Sequence, residues 1–268
     1  MTNPHSSDEH RQVGLGHEIL RVLVGSGLHG TAIDGQDDRD EMGICVEPPE
    51  YVIGLRQFEQ YIFRTQPEGA RSGPGDLDLI VFSLRKWVRL ALAGNPTVLL
   101  PLFVPDEQVV VRSELGDELR AMAGAIVSRQ AGPRFLGYLG AQRDKLLGRR
   151  SAAPRRELVE RHGFDTKLAM HMVRLGVQGV ELLETGRITL PMPEPWLSWC
   201  RALRRGERSA QEALETAAEL ELRLRELLDS SPLPPEPDAG RIDAWLVDAH
   251  QRAWADSGRP AVTAPVPG

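Results

Sequence analysis

Apolar residues run from His17 to Val24 and stop at Gly25-Ser26, the pattern of a strand entering a tight turn. A polar, Gly- and Asp-rich stretch follows from Gly27 to Asp40. Gly43-Ile44-Cys45-Val46 reads as a short buried strand that Pro48-Pro49 breaks, and Tyr61-Ile62-Phe63 suits another. Pro67 to Gly75 is a loop of Gly, Ser, Pro and Arg. Leu77 to Phe82 first alternates Asp with apolar residues and then turns wholly apolar, as a strand diving into a core does. Ser83 is placed to N-cap a helix over Leu84 to Ala93; Gly94 ends it, and Asn95-Pro96 opens a further short turn.

From Ser113 onward the period changes to that of helices. They are expected over Glu114 to Met122, Phe135 to Leu147, Thr166 to Glu184, Trp196 to Arg204, Ala210 to Leu228 and Arg241 to Trp254. Arg149 to Arg156 is a basic linker, and Ser231 to Pro237 a Pro-rich connector. The chain therefore reads as α+β: a mixed sheet with helices over residues 1–111, an all-helical domain over 112–256, and a disordered tail over 257–268.

Composition narrows the function classes. The 268 residues carry a formal net charge of −6, so a general affinity for nucleic acid is disfavoured, and local basic clusters would have to supply phosphate contacts. Cys45 and Cys200 belong to no CxxC pair, which leaves zinc and redox motifs without support; two buried thiols are expected. Met1 to Arg11 is too polar for a signal peptide, and no apolar run approaches the ~20 residues of a membrane helix. A cytoplasmic protein is expected.

The chemistry concentrates in a few acidic positions. Asp38 and Asp40, two apart in an extended segment, present their carboxylates to one side. Two such charges repel by roughly 4 kcal/mol at 4 Å in an effective dielectric near 20. An isolated Asp-x-Asp is most often a solvated loop. Asp76 and Asp78, however, also share one face of a strand whose continuation, Ile80-Val81-Phe82, is apolar, and an acid there is costly unless paired or metal-bound. Three carboxylates on neighbouring strands can hold two hard divalent cations. Gly25-Ser26 adds a turn whose backbone can approach a phosphate closely.

Gly25-Ser26, Asp38-x-Asp40 and Asp78 together resemble the DNA polymerase beta type nucleotidyltransferase pattern. The closer resemblance is to the RNA-repair-pathway DNA polymerase beta family, also called RNA ligase-associated polymerase. It is carried by VGSGLHGTAIDGQDDRDEMGICVEPP, DLDLIVFSLRKWVRLALAGNPTVLLPLFVP and FDTKLAMHMVRLGVQGVELLETGRITLP, and extends roughly from Val24 to Leu228. The resemblance implies that Gly25 and Ser26 hold a triphosphate, that Asp38 and Asp40 ligate Mg2+ or Mn2+, and that Asp78, with Asp76 as fallback, is the third carboxylate and the base. It implies transfer of NMP from an NTP to an RNA or DNA end. His29 departs from the aromatic expected after Gly-Ser, and Asp37 stands where Ser is common. Both departures bear on the nucleotide-contacting surface.

Lys167, His171, Arg174 and Gln178 fall at i, i+4, i+7 and i+11, on one face of the Thr166 helix. Lys167, His171 and Arg174 are assigned to the nucleotide. Arg85 and Lys86, with Arg89, are offered to phosphate or an RNA backbone, against the alternative of a solvated helix face. Asn95-Pro96-Thr97 reads chiefly as a turn, and Arg149 to Arg156 as a solvated linker. Two other functions compete: NMP transfer to a protein or small molecule, which the acidic charge favours, and a non-catalytic nucleotide-binding module, which three converging carboxylates disfavour.

Overall fold

A computed structural model of the chain describes residues 4–33, 38–67, 70, 72–150 and 155–257. Asp37, residues 151–154 of the basic linker and residues 258–268 of the expected tail lie outside the described residues.

Helix α1 (Asp8–Gly16) precedes strand β1 (Glu18–Val24), the single turn α2 (Gly25–Leu28), β2 (Arg39–Cys45), the turn α3 (Pro49–Val52), β3 (Gln60–Arg64), β4 (Leu77–Ser83), α4 (Leu84–Leu92) and β5 (Val109–Arg112). Helices follow: α5 (Glu114–Ala121), α6 (Ala123–Ile126), α7 (Ala131–Leu146), α8 (Arg156–His162), α9 (Thr166–Thr185), α10 (Trp196–Arg204), α11 (Ala210–Ser230) and α12 (Ala239–Ser257). The strands form one mixed sheet in the order β3-β4-β2-β1-β5. Strands β2 and β4 run parallel; the other neighbours are antiparallel. The α+β reading is correct, with its helical C-terminal half.

Alternation along the strands separates two faces. Leu20, Val22, Met42, Ile44 and Phe82 enter the main core, which continues without a break through α4, α7, α9 and α11. Cys45, Leu79 and Val81 point the other way and meet Val13 of α1, Phe58 and Tyr61. Asp40 continues the row of Met42 and Ile44, and Asp78 the row of Ile80 and Phe82. Both acids thus emerge from the sheet face that meets α4 and the core of the helical half, opposite α1.

The helices begin and end where local chemistry dictates. The Ser83 hydroxyl accepts from the Lys86 N–H at 3.2 Å, and Gly94, at φ 73°, closes the far end. The Asp165 carboxylate accepts from the Lys167 and Leu168 N–H groups and starts α9. That helix runs through the middle of the helical half. A Cβ at Gly179 would lie 2.8 Å from Phe135, and one at Gly176 2.9 Å from Leu220, so glycine lets α7 and α11 approach its backbone.

Besides the single turns α3 and α6, helix α1, strand β5 and helix α8 escape the sequence pattern. Helix α1 buries only Val13 and Gly14, so its apolar stripe is too thin to register. Strand β5 is four residues at a sheet edge, paired only to β1. Helix α8 falls at the end of the basic linker and in the stretch after it, where charge masks the period.

Candidate metal centre and nucleotide cleft

Strand β1 ends beside the middle of the sheet: Val24 lies opposite Asp40, and Asp40 lies opposite Asp78 across the parallel β2–β4 pair. Asp38 stands just before β2. One carboxylate oxygen from each of Asp38, Asp40 and Asp78 lies within 4.8 Å of the others, and all three residues are half-buried. Two oxygens trans across one magnesium ion would be about 4.2 Å apart, so this set matches the reach of a hard cation, and its donors are all oxygen.

Gly25 makes the arrangement possible. It adopts φ 73°, and a Cβ there would fall 2.0 Å from Asp40 Oδ2. Only a residue without a side chain lets the turn after β1 lie against that carboxylate. Ser26 follows on α2, half-buried, its carbonyl accepting from the Thr31 N–H at 3.0 Å.

Asp78 meets three side chains. Gln66 Nε2 donates to its Oδ1 at 2.8 Å, Ser72 Oγ to its Oδ2 at 2.6 Å, and Arg64 Nε lies 3.4 Å from Oδ1. Asp76, the fallback, is not in the cluster. Its carboxylate accepts from Thr65 Oγ1 and from the Gly73 N–H, each at 2.9 Å, and its carbonyl accepts from the Arg39 N–H, so it shapes the turn before β4.

Two hollows flank the acids. The larger, about 980 Å³, is bounded by Asp38, by Arg64 and Ser72, and by the faces of α8, α9 and α10. Its lining carries Arg64, Lys145, Arg155, Arg161, Lys167, Arg204 and Arg205 against Asp38, Glu157, Asp165 and Glu207. The wall is therefore net positive on a net negative protein. The smaller hollow, about 380 Å³, joins Gly25, Asp40 and Asp78 to Phe63, Thr97, His171 and Arg174.

Helix α9 thus serves both hollows from one stripe: Lys167 faces the larger, His171 and Arg174 the smaller. Gln178 is buried and supports the others. Arg174 Nη1 donates to Gln178 Oε1 at 3.1 Å and to His29 Nε2, while the Gln178 amide meets His29 Nδ1 at 3.0 Å. Among the described residues no carboxylate pairs with Arg174, and its Nε–H has no partner. Burial lowers the guanidinium to about 10, which keeps it charged near neutral pH. Burial, then Arg174, then His171 push His29 well below the usual histidine range; burial, then Arg174 and Lys167, do the same to His171. Both imidazoles are neutral at physiological pH, and the position where an aromatic is expected is filled by an uncharged ring that accepts from Arg174.

Arg85 and Lys86 are not brought to the acids. They open α4, at the end of β4 away from Asp78; five residues of strand span about 17 Å. Arg85 is exposed, and Lys86 bonds Glu59 at 2.7 Å; Arg89 lies beside the same Glu59. Neither Arg85 nor Lys86 lines either hollow. Asn95 caps its own turn by accepting from the Thr97 and Val98 N–H groups, and Thr97 reaches the smaller hollow. Arg155, expected in a solvated linker, lines the larger hollow and bonds Asp165. Gln66 and Ser72 escape sequence reasoning because they lie in or beside an aperiodic loop of Gly, Ser, Pro and Arg, and Arg64 because it closes β3 beyond the apolar run Tyr61-Ile62-Phe63.

The model of the RNA repair pathway DNA polymerase beta family matches residues 6–248. The chain belongs to that family. The match takes in every strand, both hollows and most of α12. RNA repair pathway DNA polymerase beta proteins are nucleotidyltransferases of the polymerase beta type, and the acids, Gly25 and α9 all fall inside the matched span. Among solved structures, a nucleotidyltransferase-like protein from Exiguobacterium sibiricum is 12% identical, with 83% of this chain and 72% of that one covered, at a TM-score of 0.29. No curated protein matches the chain.

Proposed function

We propose that the protein transfers NMP from an NTP to an acceptor hydroxyl at an RNA or DNA end, with a divalent cation held by Asp38, Asp40 and Asp78. The observation that carries this reading is the approach of those three carboxylates to within 4.8 Å beside the Gly25 turn. Mg2+ or Mn2+ bound there would supply Lewis-acid activation of the hydroxyl and neutralise the departing pyrophosphate. The chain's own groups do the rest. The Gly25 backbone and Ser26 approach the triphosphate, Lys167 and Arg174 meet its charge, and neutral His171 offers hydrogen bonds without adding charge. Asp78 accepts the proton of the attacking hydroxyl. No helix among the described residues is long and apolar enough to cross a membrane.

The cationic lining of the larger hollow favours a polyanionic acceptor over a protein or small molecule, despite the acidic whole. Incubation with labelled NTPs and separate pools of RNA, DNA and protein tests this. Label on RNA or DNA, lost in Asp40→Ala, is expected. Label only on protein would defeat the polynucleotide reading, and NTP binding unchanged in Asp38→Ala/Asp40→Ala would favour a silent module.

A further inference from the structure

Between β3 and β4, the described residues Gln66 and Ser72 both reach Asp78. Gln66 Nε2 and Ser72 Oγ donate to opposite oxygens of Asp78, at 2.8 and 2.6 Å. A carboxylate rotates readily about its last torsion; two donors on its two oxygens hold its plane. Each oxygen offers about two acceptor sites; Oδ1 faces both Gln66 and Arg64, while Oδ2, met among the described residues by Ser72, keeps one for another partner. The side chain is 18% exposed, and Arg64 Nε at 3.4 Å leaves its charge partly compensated.

We propose that Gln66 and Ser72 are positioning residues, fixing the Asp78 carboxylate in the orientation that receives a divalent cation and thereby setting the affinity of the site for it. This rests on the metal-dependent reading above. The opposite role, a plug occupying the cation's place, would need both oxygens fully engaged, and they are not. The donors leave the negative charge on Asp78 intact, as neutral groups do, and fix only its direction. Partners of this kind are worth about 10–100-fold in metal affinity when removed.

Titration of the full chain with Mn2+ alone, following free Mn2+ by electron paramagnetic resonance, reads this without any substrate. Gln66→Leu and Ser72→Ala are each expected to weaken Mn2+ binding by about 10–100-fold, while Ser72→Thr, which keeps the hydroxyl, stays near wild type. Melting in the absence of metal confirms that each variant is folded. Equal affinity in Gln66→Leu and Ser72→Ala, or a gain, overturns the proposal, the gain identifying a plug. If instead the wild-type chain binds no Mn2+, or binds it undiminished in Asp40→Ala, the metal-dependent reading falls and this proposal with it.

Discussion

Gly25 is held at φ 73° against the Asp40 carboxylate, so an alanine there meets two penalties. The left-handed backbone costs about 1–2 kcal/mol for a residue with a Cβ, and the methyl displaces Asp40 from the cluster. Misplacing a reacting group by about 1 Å can cost 10²-fold in rate. Gly25→Ala is therefore expected to keep its circular dichroism and lose about 100-fold or more in kcat; wild-type turnover would show that Asp40 does not need its present position. Lys167 meets the larger hollow from the first turn of α9. A charge-assisted hydrogen bond to phosphate is worth about 1.5–3 kcal/mol, and Lys167→Ala should raise the KM for the triphosphate more than about tenfold. Steady-state kinetics with varied NTP decide it, and an unchanged KM removes Lys167 from the nucleotide.

Helix α9 does the most at the scale of elements: its apolar side fills the middle of the helical half, and its polar stripe lines both hollows. The C-terminal α12 is attached differently. Trp245 Nε1 and the Arg252 guanidinium both donate to Glu118 of α5, and Trp254 Nε1 donates to the Glu47 carbonyl at 2.8 Å. The Arg252 hydrogen bonds, and then that of Trp245, lower Glu118 to about 2 from the ordinary 4.5. A carboxyl depressed in the folded state binds more protons when unfolded, so its contribution is complete above pH 4.5 and is lost as pH falls towards 2. Solvent reaches both partners, which keeps the effect modest. Acid titration followed by tryptophan fluorescence should show α12 loosening in that window, and Glu118→Gln should flatten that part of the curve. An identical acid profile would mean that the pair does not hold the helix.

The whole molecule separates charge by place. Its net charge is −6, yet the larger hollow gathers seven Lys and Arg side chains against four carboxylates. An acidic exterior with a cationic hollow confines polyanions to one place. A single-stranded acceptor that neutralises its phosphates there binds more weakly as salt rises, by about 0.7 in log–log slope per phosphate. Lys145→Gln/Arg161→Gln should weaken acceptor binding and make the slope shallower by about 0.7 for each phosphate no longer neutralised. Fluorescence anisotropy across a salt series measures both, and an unaltered slope would place the acceptor elsewhere.

Much of this is legible along the chain itself. The four longest strands, the capped helices after Ser83 and Asp165, and Trp196–Arg204 to the residue follow from period and capping, which are local. Asp78 is legible because charge on a strand that turns apolar is conspicuous, Asp38 and Asp40 because residues two apart in extended chain share a side, and the family resemblance is what joins the three. The stripe Lys167, His171, Arg174 is legible from helical geometry. Sequence spacing is silent on which end of β4 faces the ligand, and so offers Arg85 and Lys86, which the strand carries about 17 Å from Asp78. It is equally silent on Gln66, Ser72 and Arg155, which sit in aperiodic segments and reach the hollows only through chain folding. The sequence by itself determined most of the elements and the acidic chemistry, because both are written within a few residues. Only the tertiary structure decided which side chains share a hollow, because the parallel β2–β4 pairing and the seating of α9 against His29 join residues far apart in the chain.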